Sequence, residues 1–98
     1  MTFVDNYDFE NLVNEAEKLV LNELGSQLES YPEEICCCND CVVDMAGIAL
    51  NTVKPLYRVS LLGGLYAAQA MNEETYAESV RQAVGAAIEK VRKNPSHD

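Results

Sequence analysis

All four cysteines of the chain lie within six residues, at positions 36, 37, 38 and 41, and an apolar segment follows them directly. Asn39 or Asp40 can cap a helix there, and Pro55 ends it, so the sequence predicts a helix over about residues 39–53. Apolar side chains occupy nearly every side of this helix, which is typical of a buried helix. The pattern therefore places a group of thiols at the start of a buried helix.

Two amphipathic segments and a pair of short apolar runs surround this helix in the sequence. Apolar residues at three- and four-residue spacing follow Asp5 or Asp8, either of which can cap a helix, and predict a first helix over about residues 8–30. After Asn72, similar spacing predicts a last helix over about residues 72–93. The runs on either side of Gly63-Gly64 predict a β-hairpin over about residues 57–68, and the alanines from Ala67 to Ala70 are equally compatible with the start of a helix. The predicted apolar face of the last helix consists of Tyr76, Ala77, Val80, Ala83, Val84, Ala87, Ile88 and Val91.

These elements predict a mainly α fold in a single domain covering residues 1–98, because the chain has the length of one domain. So short a chain buries a modest share of its surface, and the apolar stripes of the first and last helices favour a homodimer. The net charge of −9, from 16 acidic and 7 basic residues, disfavours general binding to DNA or RNA.

No apolar run approaches the roughly 20 residues that cross a bilayer, so no membrane association is expected. The N-terminus lacks the basic start and apolar core of a signal peptide. We therefore expect a reducing cytoplasm, in which clustered cysteines indicate metal or redox chemistry rather than a disulfide framework.

Cys36, Cys38 and Cys41 have the spacing C-x-C-x-x-C, with which a loop can bring three thiols around one ion. A helix start favours the thiolate, which is the form that binds zinc. Asp44, one helical turn after Cys41, is a candidate fourth ligand or outer hydrogen-bond acceptor. Cys37 and a donor from a partner chain are further candidates. Two other interpretations stay open: reduced cysteines that pack as small apolar groups, and reversible disulfide chemistry.

A second group of candidate residues lies where the predicted second helix ends. Asn51, Lys54, Tyr57 and Arg58 offer an amide, two cations and an aromatic face, which together can hold a phosphate and stack a base. Composition alone favours another interpretation, in which Asn51 caps or hydrogen-bonds a neighbouring loop, Tyr57 fills the core, and Lys54 and Arg58 lie in water. No enzymatic activity is predicted, because the only histidine is His97, near the end of the chain, and no glycine-rich phosphate loop is present.

The residues from Cys36 to Tyr57 resemble the late competence ComFB family. The matching features are the C-x-C-x-x-C spacing, Asp44 three residues after the last cysteine, the Ala49-Leu50-Asn51 ending, and the turn before Tyr57. The chain departs from the family in having Lys54-Pro55 where two prolines are common, and in having a cysteine at position 37.

The resemblance implies a small, mainly helical, dimeric regulatory protein located in the bacterial cytoplasm. It also implies that the cysteines bind zinc and that the protein has no catalytic activity. Members have been linked to competence, motility and cyclic dinucleotides, so the resemblance also implies a cyclic di-GMP or cyclic di-AMP ligand at the second group of residues. The alternatives are a thiol-based redox or metal-responsive switch and a scaffold that only binds another protein.

Overall fold

The computed structural model describes residues 2–59, 69 and 73–95, and within these it is mainly helical. The helices are α1 (Ala16–Glu29), α2 (Asn39–Thr52) and α3 (Glu74–Lys93). Two 3-10 turns, Val4–Asn6 and Phe9–Asn11, precede α1. The strands β1 (Val13–Asn14) and β2 (Tyr57–Arg58) form a two-stranded antiparallel sheet.

The core lies where α3 packs against both α1 and α2. Its largest fully buried side chains are Met45, Ile88, Val20, Val84, Val91 and Cys41. The predicted apolar face of α3 is confirmed, since every member is buried except Ala77, which is half-buried. Among the helices of the described chain, none is long and apolar enough to span a membrane.

The predicted start of the first helix, near residue 8, is wrong. Residues 9–11 form a 3-10 turn and residues 13–14 a strand, so α1 begins only at Ala16. The cause is a long-range contact: the Glu15 backbone N–H donates to the Leu56 carbonyl at 2.8 Å. The side chain of Asn14 also accepts from the backbone N–H groups of Ala16, at 3.1 Å, and Leu56, at 2.8 Å. Asn14, rather than Asp5 or Asp8, therefore accepts from the first N–H group of α1.

The second helix has nearly its predicted extent, but its cap and its burial differ from the prediction. Cys38, not Asn39 or Asp40, is the N-cap residue. Cys41, Met45 and Ala49 are buried, whereas Val43 is 60% exposed. Within one chain, α2 is therefore buried along one face instead of on most sides.

Of the predicted hairpin over residues 57–68, the structure describes residues 57–59. Tyr57 and Arg58 are extended as predicted, and their described partner is β1, with Val13 opposite Arg58 and Asn14 opposite Tyr57. Positions 60–68 lie outside the described residues, as does Asn72, the predicted cap of the last helix.

Candidate metal centre

The three cysteines of the C-x-C-x-x-C pattern come together at the start of α2. The Sγ atoms of Cys36, Cys38 and Cys41 all lie within 4.8 Å of one another. Burial increases along the set, from the exposed Cys36 through the half-buried Cys38 to Cys41, which is 1% exposed. All four cysteines of the chain are present as thiols. The predicted three-thiol group is therefore assembled, with one side facing the core and the other facing water.

The helix itself holds two of these thiols in place. Cys38 is extended at the N-cap position, and its Sγ accepts from the backbone N–H of Cys41 at 3.5 Å. This bond takes the place of the oxygen acceptor that Ser, Thr or Asp usually supplies at a helix start. Both a backbone donor and the positive end of the helix dipole favour a thiolate over a thiol at this position.

Cys37 and Asp44, the further candidates for metal ligation, are not members of the three-thiol group. The side chain of Cys37 is exposed and, with Cys36, lines a surface cavity of about 620 Å³ beside Glu33 and Glu34. Asp44 is half-buried and borders a different cavity, of about 410 Å³, on the outer side of α2.

The loop between α1 and α2, here called the thiol loop, carries Cys36, Cys37 and Cys38. A polar contact with α3 fixes the chain where this loop begins, and no local sequence signal indicated that contact. The Tyr31 hydroxyl donates to a carboxylate oxygen of Glu89, 58 residues away. Arg92 donates to the same carboxylate from Nε at 3.1 Å and from an amino group at 2.9 Å. Hydrogen bonds from Arg92, then from Tyr31, lower the pKa of Glu89 to about 2. The carboxylate thus stays ionised and fixes the entry to the loop.

The four residues of the predicted ligand group lie at the other end of α2 and differ in their surroundings. Asn51 and Lys54 are exposed, and Tyr57 is 60% exposed. Arg58 is half-buried, and its Nε donates to Glu15. Neighbouring side chains of a strand point to opposite faces, so Tyr57 and Arg58 do not share one side of β2. In the structure, three of these residues are thus exposed, and Arg58 is paired with the Glu15 carboxylate.

Glu15 is the residue of this region that sequence reasoning missed. Its side chain is 8% exposed, and it also lies 3.5 Å from the Lys18 ammonium. The hydrogen bond from Arg58 is the main cause that lowers the pKa of Glu15, against the opposing effect of burial. Nothing in the local sequence distinguishes Glu15 from an ordinary acidic residue of a helix. Its role is visible only in the folded chain, where it contacts Arg58, 43 residues away in sequence.

Lys54 borders two neighbouring cavities between the end of α2 and α3. Their volumes are about 460 and 300 Å³, and both are also lined by Ser79. The Tyr76 hydroxyl donates to the Lys54 carbonyl at 2.7 Å, which fixes the backbone there. The cation therefore lies next to concave surface of a size that accepts small ligands.

Comparisons with known proteins agree with this fold. The family model described as Late competence development protein ComFB matches residues 13–95. Among solved structures, the chain resembles the late competence protein ComFB from Bacillus subtilis, with a TM-score of 0.71 and 21% sequence identity. The similarity covers 87% of this chain and 92% of that one. No curated protein matches the chain. Because the family model spans most of its length, the chain belongs to the ComFB late competence family.

Proposed function

We propose that this protein is a non-enzymatic regulator whose Cys36, Cys38 and Cys41 hold a structural zinc ion. The observation that carries the proposal is the mutual approach of the three Sγ atoms to within 4.8 Å. Zn–S bonds of about 2.3 Å in tetrahedral geometry put sulfur atoms roughly 3.8 Å apart. Closing the remaining distance needs only small side-chain rotations, and zinc itself would supply the energy.

The arrangement fits a structural ion better than a catalytic one. The ion would join the loop after Tyr31 to the first turn of α2 and to the core through Cys41. Its fourth ligand could be water, Asp44 after a side-chain movement, or a donor from a second chain. Thiolates hold zinc only while they remain unoxidised, so we also propose that the protein works in a reducing compartment such as the cytoplasm.

Metal analysis of the purified protein tests this proposal directly. We expect about one zinc per chain by native mass spectrometry, removed by a strong chelator. Cys38→Ser should abolish the bound zinc, whereas Cys37→Ser is the matched control and should retain it. A zinc-free protein, or equal zinc content in both variants, would contradict a site built from these three thiols.

A cyclic dinucleotide is the ligand that we propose for the other end of α2. Support comes from the exposure of Lys54 and Tyr57 and from the cavities beside Lys54. A cyclic dinucleotide offers two phosphates for cations and two bases for stacking. Arg58 could contribute if the ligand's phosphate replaced the Glu15 carboxylate, and Asn51 could orient the segment.

Calorimetric titration with cyclic di-AMP and cyclic di-GMP tests the ligand proposal. Lys54→Ala should weaken binding by roughly one to two decades, because a charge-assisted contact contributes about 1.5–3 kcal/mol. Lys90→Ala removes an exposed lysine of α3 and serves as the control. If neither nucleotide produces heat, the regulator acts through a protein partner or through its thiols, and the ligand proposal fails.

We also propose that two copies of the chain assemble as a homodimer through α1, α3 or both. Leu21, an exposed apolar residue of α1, is one side chain that a second copy would cover. A two-fold axis would present the ligand residues twice, which suits a ligand with its own two-fold symmetry. Light scattering at high micromolar concentration measures the mass, and a monomer there would contradict the proposal.

A further inference from the structure

Before the first residue of the family match, the chain carries an exposed cluster of aromatic rings, here called the aromatic cluster: Phe3, Tyr7 and Phe9. The ring centroids of Phe3 and Tyr7 are 4.8 Å apart, and Phe9 lies 6.0 Å from each. The three residues are 67%, 59% and 45% exposed, respectively. The rings therefore contact one another while much of their surface remains in water.

Local hydrogen bonds, rather than core packing, hold the segment in this shape. The backbone N–H and the hydroxyl of Thr2 both donate to Asp5, at 3.3 and 3.2 Å. The Asn11 side-chain amide donates to Asp8 in the next turn. No residue from 2 to 12 is buried. The cluster is thus preorganised, which lowers the entropy lost when a partner binds.

The apolar surface extends beyond the rings. Val4 is 59% exposed and Leu12 46% exposed in the same short segment. Contiguous exposed apolar surface on a small protein marks interaction sites, and aromatic residues are enriched where binding energy is concentrated. Five apolar side chains in eleven residues, none of them buried, are therefore a candidate binding surface.

The charge of the segment selects the kind of partner. Asp5, Asp8 and Glu10 alternate with the apolar residues, and the first lysine or arginine of the chain is Lys18. A surface that combines exposed rings with carboxylates attracts arginine and lysine by two interactions. The ring faces make cation–π contacts, and the carboxylates form ion pairs. The matching surface is one that presents basic and apolar side chains together.

We infer that residues 2–12 are a docking segment for a basic, amphipathic stretch of a partner protein. Cations of the partner lie over the aromatic cluster and beside its carboxylates, and its apolar side chains cover Val4 and Leu12. The same segment of a second copy is a poorer occupant, because residues 2–12 hold three acidic residues and no basic one, so two such segments would repel each other. An anionic membrane surface would be repelled by the same carboxylates.

A fluorescently labelled amphipathic peptide of arginine and leucine is the probe, and anisotropy measures its affinity for the full-length protein. The triple variant Phe3→Ala, Tyr7→Ala and Phe9→Ala should weaken binding roughly tenfold or more, because it removes the central contacts and leaves the charge unchanged. The matched control replaces two comparably exposed apolar residues outside this segment and outside the proposed dimer interface by alanine: Val43 and Val59. It should bind like the unmodified protein.

A second variant, with Asp5→Asn, Asp8→Asn and Glu10→Gln, separates charge from rings. It should weaken binding roughly three- to tenfold at low salt and reduce the salt dependence. Circular dichroism checks that each variant keeps its helices. Equal binding by the triple-alanine and control variants would overturn the inference, as would no binding of the peptide to the unmodified protein. A smaller assembly mass for the triple-alanine variant would instead assign the cluster to a second copy, and selective loss of vesicle binding would assign it to lipid.

Discussion

Both ends of α2 carry candidate site residues, but the side chains are arranged differently at the two ends. At its start, Cys38 and Cys41 occupy positions of the same first turn, so their side chains meet, and Cys36 joins them from the loop. At its far end, the chain leaves the helix and becomes a strand, so consecutive side chains diverge and Arg58 pairs with Glu15. A helix turn brings side chains that are close in sequence onto one side, whereas a strand sends consecutive side chains to opposite faces.

The largest expected effect concerns the thiol end. Zinc present at a thousand times its Kd would stabilise the folded chain by about 4 kcal/mol, so Cys41→Ser should lower the free energy of unfolding by a comparable amount. The buried hydroxyl adds to this loss. Cys37→Ser, at an exposed thiol, is the control and should change little. Denaturant unfolding with and without chelator measures both. Equal stability of the two variants would contradict a stabilising site at the start of α2, and the two ends of the helix would then not differ in this respect.

Breaking the ion pair at the far end should cost less. Arg58→Ala leaves the nearly buried Glu15 carboxylate with Lys18 as its charged partner, so we expect a Tm decrease of roughly 4–8 °C. Glu15→Gln combined with Arg58→Ala should recover part of the loss, because the uncompensated charge is then gone. Calorimetric scans at pH 7 measure both variants. A Tm unchanged by Arg58→Ala would mean that the arginine is available to a ligand.

Acid should loosen the entry to the thiol loop. The folded pKa of Glu89 is about 2, below its ordinary value of 4.5. A depressed pKa contributes stability that is fully present above about pH 4.5 and is lost as the pH falls towards 2. Glu89→Gln should therefore flatten the stability profile in this window, measured by urea unfolding at several pH values. Glu29→Gln, at an exposed acid of α1, should leave the profile unchanged.

The smallest effect is expected at Tyr57. Its side chain is 60% exposed, so Tyr57→Ala should change the free energy of unfolding by less than about 0.5 kcal/mol. If a base stacks on this ring, the same variant should still weaken cyclic dinucleotide binding, because stacking contributes about 1–3 kcal/mol per base. A loss of both stability and binding would indicate that the ring supports the fold rather than the ligand.

Local patterns predicted those parts of the molecule that local contacts build. The extent of α2, the apolar face of α3 and the three-thiol group all depend on residues within a few turns of one another. The start of α1 and the role of Arg58 depend on contacts with residues more than 40 positions away. Asp8 has the chemistry of a helix cap, but nothing near it reveals that residues 13–15 are bound to residues 56–58. Tyr31 and Glu89 were missed for the same reason.

Asn14 has a consequence for the order in which the chain folds. One side-chain oxygen accepts from the N–H groups of Ala16 and Leu56, so the junction between the start of α1 and Leu56 is complete only after a segment of some 40 residues has closed. Closing such a segment costs entropy that short-range helix formation does not. We expect α2 and α3 to form early and this junction late, so that Asn14→Ala accelerates unfolding and leaves the refolding rate nearly unchanged. The two arms of a chevron plot separate these rates, and slower refolding of the variant would place the junction in the folding nucleus instead.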